Sequence, residues 1–310
     1  MSVESGVRVG NWGRWGDDDE RGALNLLTDD VVREARSAIK TGSVYALGLP
    51  IQRAGIPNMA AIRGVPQRLT LQNYDDAELL AAYGIPEGVG ANEDMLVFAS
   101  HTSTHMDALC HVFADNQIYN GHGHNGVKPF TGAARCGIEK AGAFATRGLM
   151  LDFPAVKGVE ALEPGYTITV EDIEEAMEAH GVQVRPGDVV LTRTGWVETF
   201  LANGADNSEM TMPGVGGLLQ AGIGIDAARY LADRDVVAVG ADNTAVEVMP
   251  YAPEFMACHI ELLVKRGIYL IEHMKLDELS RDRCYEFFFT VAPLPVTGAT
   301  ASPVNPIAIG

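Results

Sequence analysis

The chain of 310 residues is 47% hydrophobic and 21% charged, which supports one large globular domain with a substantial buried core. Its 23 Lys+Arg against 41 Asp+Glu leave a formal charge of -18; a field of that sign repels a phosphate backbone and excludes nucleic acid as the expected partner. No apolar stretch reaches the roughly 18 residues of a membrane span, and the opening MSVESGVRVGNWGRWGDDDE lacks a basic segment followed by an apolar one, so a cytoplasmic protein with no membrane partner is expected.

In chain order, the first helical pattern covers 27–40 and the first strand-like run 43–52. Residues 52–92 read as an irregular excursion, of the length that lids and interface arms take. Strands are predicted over 93–101, 147–155, 188–196, 235–242, 267–272 and 285–294, where β-branched and aromatic residues cluster. Helices are predicted over 170–180, 224–234 and 258–266. In the first of these Thr169 and Asp172 have capping spacing, Ile173, Ala176 and Met177 share a face, and Gly181 supplies the stop. The fold class is therefore mixed α/β, as one domain over 1–310, with no glycine-rich phosphate loop to suggest a nucleotide. Cys110, Cys136, Cys258 and Cys284 form no C-x-x-C pair and read as free thiols.

The densest chemistry is HTSTHMDALCH, residues 101–111, with three histidines and one aspartate. If the strand 93–101 continues, its period of two places His101, His105 and Asp107 on one face. Two imidazoles and a carboxylate suit Zn²⁺, Mn²⁺ or Fe²⁺ with coordination positions left open. Thr102 stands where a helical H-E-x-x-H site would need its glutamate, so that alternative fails. His111 is placed to return to the same pocket as a proton carrier. A helix carrying His259 followed by a strand ending at Glu272 could bring that pair together. His122 and His124 lie in a glycine-flanked loop and read as solvated.

These pieces resemble the metal-dependent cyclase-like hydrolases, the family of bacterial kynurenine formamidase and isatin hydrolase. The family motif H-x-G-T-H-x-D-x-P-x-H matches at His101, Thr104, His105, Asp107 and His111, while Ser103 replaces its glycine and Leu109 its proline. The Leu109 variant resembles a longer branch reading THxDALxH. Segments GDVVLTRTGW, VGADNTAVEVMP and HIELLVKRGIYLIE are similar to family segments in family order. The resemblance implies a swivelling β/β/α fold with a mixed sheet, and a homo-oligomer, dimer or tetramer. It also implies one or two ions, Zn²⁺ or Mn²⁺, with His259 and Glu272 joining Asp107 at a second position. Glu272 could instead share proton transfer with His111. Trp12, Arg14 and Trp15 resemble a pocket element that would hold a small planar substrate; the alternative is that they are scaffold anchors.

The expected activity is hydrolytic opening of a small cyclic or aryl amide, imide or lactone. The alternatives are an arylformamidase proper and an inactive metal- or small-ligand-binding protein. A cysteine hydrolase using Cys110 or Cys258 with the adjacent histidine is geometrically poor, because sequence neighbours seldom face each other.

Overall fold

The computed structural model describes residues 9–53, 63–86, 88–203 and 219–310. Its centre is a nine-stranded mixed sheet. In chain order the strands are β1 (Val44–Ala46), β2 (His105–Asp107), β3 (Phe144–Asp152), β4 (Val189–Arg193), β5 (Ala238–Ala241), β6 (Tyr269–Glu272), β7 (Glu286–Val291), β8 (Ala301–Pro303) and β9 (Ile307–Ile309). Their spatial order is β1-β9-β7-β3-β4-β5-β6-β2-β8. The middle four, β3 to β6, are parallel, and both flanks run antiparallel. The mixed α/β class expected from the pattern is the one observed.

Parallel neighbours need crossovers, and helices supply them. Val170–His180 packs Ile173, Ala176 and Met177 inward, with the Thr169–Asp172 capping box at one end and left-handed Gly181 at the other. Ile225–Ala232 follows β4, and the helix opening at Ala257–His259 continues through Ile260–Arg266 as a π-helix into β6. Gly267 closes it at φ +64, where an added Cβ would lie 2.6 Å from the Tyr119 ring. A side chain there would have to displace a buried aromatic. β3 to β6 are buried along nearly their whole length and mostly apolar, as parallel strands are, with Arg147, Asp152, Arg193 and Glu272 as their charged exceptions.

Two expectations need correction. The run 93–101 does not continue into the site: only Glu93–Val97 is strand, and it is exposed at every position, pairing with Gln67–Gln72 in a separate ribbon. The chain then turns, with Ser103 at φ +55, before β2 begins at His105. The excursion 52–92 is also less irregular than expected, since it carries that ribbon and the helix Ala77–Ala82. Part of it, 54–62 and 87, lies outside the described residues, as do residues 1–8 of the N-terminal segment. Among the described residues no helix is long and apolar enough to cross a membrane.

Candidate metal centre

The site forms where β2 meets the end of β6. Glu272 is directly opposite His105 across the antiparallel pair. Period two within β2 does put His105 and Asp107 on one face; His101 arrives from the turn rather than from a longer strand. His105 Nε2 lies 3.2 Å from Glu272 Oε2 and 3.7 Å from Asp107 Oδ1. His101 Nε2 is 3.4 Å from Asp107 Oδ1, and His111 Nδ1 is 3.0 Å from His101 Nε2. From the third crossover, His259 directs Nε2 at Glu272 Oε1, 3.4 Å away, and Asp107 Oδ2, 3.9 Å away. The residues from the two distant segments thus converge as the pattern suggested.

Two sets offer donor atoms all within 4.8 Å of one another: His101, Asp107 and His111, then Asp107, His259 and Glu272. Asp107 belongs to both. It is buried, yet neither of its oxygens accepts a hydrogen bond, and His105 Nε2 has none either. A desolvated carboxylate without donors is costly unless a cation compensates it. Nitrogen and oxygen donors in this mixture suit a divalent transition-metal ion, so the residues fit one.

The electrostatics divide the site. Burial, reinforced by the charges of His111 and His105, pushes the pKa of His101 down; burial also lowers that of His111. Burial opposes a charge on His105 too, but the Glu272 and Asp107 carboxylates outweigh it and raise its pKa. For His259 burial is again outweighed, by Glu247 and Glu272, which raise it to about 10. Glu272 is itself held well below the carboxylate range, because His105 and His259 outweigh its burial. One side of Asp107 therefore carries neutral imidazoles, the other an ionised carboxylate between basic ones.

Several residues around this cluster carry no motif spacing. His105 Nδ1 and His273 Nδ1 both point at the Ser103 carbonyl, at 2.8 and 3.0 Å. A carbonyl only accepts, so both nitrogens carry protons and Nε2 is the His105 nitrogen left facing the carboxylates. His273 Nε2 then accepts from Thr244 Oγ1 at 2.9 Å; burial, with the neighbouring His105, lowers the His273 pKa to about 3. Its position directly after Glu272 was the only sequence signal.

Trp12, Arg14 and Trp15 are engaged elsewhere. The Trp12 indole N–H donates to Val264 O at 2.6 Å, Arg14 pairs with Asp235, and Trp15 packs beneath the Arg14 guanidinium. None of these contacts reaches the histidine cluster. His122 Nε2 contacts Asp19 O and His124 Nδ1 contacts Asn116 O, both in loop scaffolding. Burial pushes the Cys110 thiol up to about 12 and the Cys258 thiol higher still, and their sulfurs face Ala299 O and Ile223 O. Neither thiol is positioned as a nucleophile.

A parallel core with antiparallel flanks and a buried histidine–carboxylate cluster at its edge defines the class. The chain belongs to the putative cyclase family, whose model matches residues 45–248. It is similar to the crystal structure of a novel cyclase at 31% identity and a TM-score of 0.85, over 98% of this chain and 100% of that one. Isatin hydrolase A from Labrenzia aggregata shares the fold at 19% identity and a TM-score of 0.62, over 88% of this chain and 94% of its own. So does a predicted metal-dependent hydrolase from Bacillus stearothermophilus, at 22% identity and 0.50, over 86% and 97%. Among curated proteins no sequence matches the chain.

Proposed function

We propose that the chain is a metal-dependent hydrolase that opens a small cyclic or aryl amide, imide or lactone. The observation that carries this reading is Asp107, a buried carboxylate with both oxygens unbonded and imidazole nitrogens turned toward it. The named hydrolases that share its fold favour the same class. His101, His105 and Asp107 would hold the first cation, and His259 and Glu272 with Asp107 a second. When bound, such a cation supplies Lewis acidity, drawing the pKa of water toward neutrality and polarising a substrate carbonyl.

The protein's own part is proton handling and exclusion of water. His111 is kept neutral by burial, so its ring can accept a proton and return it to the leaving nitrogen or oxygen. Glu272 is held ionised by its two imidazoles and serves as a ligand in preference to a proton store. An arylformamidase would use the same groups, and the assay panel below separates the two by substrate. The ribbon 67–72 and 93–97, which leaves Leu71, Leu96 and Val97 more than half or half exposed at 57%, 60% and 50%, supports a homo-oligomer, to be checked by sedimentation.

The deciding experiment is elemental analysis of the purified protein, with turnover of aryl formamides, isatins and lactones before and after chelation. Stoichiometric Zn or Mn with chelator-sensitive hydrolysis is expected. Protein that takes up neither ion when supplied, and hydrolyses nothing in the panel, overturns the reading.

A further inference from the structure

The stretch Asp242 to Glu247 follows β5 and is buried throughout, and the proposed mechanism gives none of it a role. Glu247 accepts the backbone N–H groups of Cys258 and His259, each at 3.1 Å, and contacts His259 Nδ1 at 2.5 Å. Both Glu247 oxygens already accept backbone N–H groups, so the proton of the last contact belongs to His259 Nδ1. That leaves Nε2 directed at Asp107 and Glu272. With a second proton there, His259 is a cation paired to Glu272; without it, a lone pair faces two carboxylates and requires a positive ion between them.

We propose that Glu247 is a positioning residue that locks His259 with its proton on Nδ1 and so presents Nε2 as a ligand to a divalent cation shared with Asp107 and Glu272. This rests on the metal-dependent reading above. The three candidate ligand histidines differ in their outer partners: His101 has the Ser100 hydroxyl, His105 the Ser103 carbonyl, and His259 alone a carboxylate. A carboxylate partner orients the ring most firmly and makes the imidazole a stronger donor. A scaffold role, holding the helix start through the two backbone contacts, would need neither the charge of Glu247 nor a fixed tautomer.

The test titrates Zn²⁺ against a chelating dye into wild type and Glu247→Gln. Wild type should bind two ions; the variant should keep the first and bind the second about 10- to 100-fold more weakly. Independently of any variant, the ring nitrogens of His259 in zinc-loaded wild type should show Nδ1 protonated and Nε2 not, by long-range proton–nitrogen NMR. The opposite tautomer, or unchanged second-ion affinity in a folded Glu247→Gln, overturns the proposal and leaves the hydrolase reading intact. A wild-type stoichiometry of one that His259→Ala does not alter also overturns it. Only failure of wild type to bind Zn²⁺ or Mn²⁺ at all removes both.

Discussion

His111 Nδ1 lies 3.0 Å from His101 Nε2, the same atom that stands 3.4 Å from Asp107 Oδ1. One lone pair cannot serve a cation and a neighbouring imidazole together, so loading the site should part the two rings. Asp107→Ala is then expected to release metal and abolish turnover. His111→Ala should retain the metal and lose about 10²- to 10⁴-fold in kcat, the usual worth of a proton carrier. Metal content and single-turnover rates on both variants check this. A His111→Ala protein that emptied of metal would make His111 a ligand instead.

Ser103 occupies the position of the family's glycine and explains why that residue type belongs there. Its φ of +55 is left-handed, a conformation costing a side chain about 1–2 kcal/mol, while its carbonyl serves both His105 and His273. The hydroxyl offsets part of that cost by contacting Leu49 O and Pro50 O. Ser103→Gly should therefore leave Tm within a few degrees and kcat/KM within a few-fold of wild type. Ser103→Val, with a β-branched side chain in the same conformation, should lower kcat/KM at least about tenfold by moving the carbonyl. Equal activity in the two variants would remove the carbonyl from any positioning role.

What could be read from sequence follows the range of each interaction. Helix Val170–His180 was legible to the residue because its cap, apolar face and stop are all local. His105 with Asp107 was legible from strand period. The extended continuation through 101 was not, because the strand ends at Val97 and the chain turns before β2, although its composition still favours strand. Glu247 had no local signature, and His273 only its place beside Glu272: the connection after β5 brings Glu247 to His259, and the end of β6 brings His273 to the Ser103 carbonyl. Trp12 and Arg14 suggested a pocket because an indole beside a guanidinium suits a planar ligand, but Val264 O and Asp235 already satisfy them.

Removing metal should expose the charge balance of the site. His259, raised to about 10 by Glu247 and Glu272 against its burial, is protonated at neutral pH in the metal-free protein. A cation must displace that proton. Metal affinity at this position is therefore expected to rise about tenfold per pH unit from 7 toward 10, and Zn²⁺ titrations in buffers of different ionisation enthalpy should record proton release. Chelation should also lower Tm, with refilling restoring it, since an ion at about 100 times its Kd stabilises by about 2.7 kcal/mol. Affinity independent of pH across that window would contradict the protonated state of His259.

Asp242 supplies a pH dependence outside the metal ligands. It is wholly buried after β5 and accepts from Thr194 N, Thr194 Oγ1 and Gly195 N. Burial and then the charge of Glu198 raise its pKa to about 7, against the Thr194 donors and Arg193. A carboxyl raised in the folded state penalises folding above its folded pKa. The penalty is relieved as pH falls from about 7 toward the unfolded value near 4. Asp242→Asn cannot titrate, so the Tm of wild type relative to this variant should climb by several degrees between pH 8 and pH 5. Scanning calorimetry of both proteins across that range makes the comparison, and a constant gap would mean that Asp242 stays ionised in the fold.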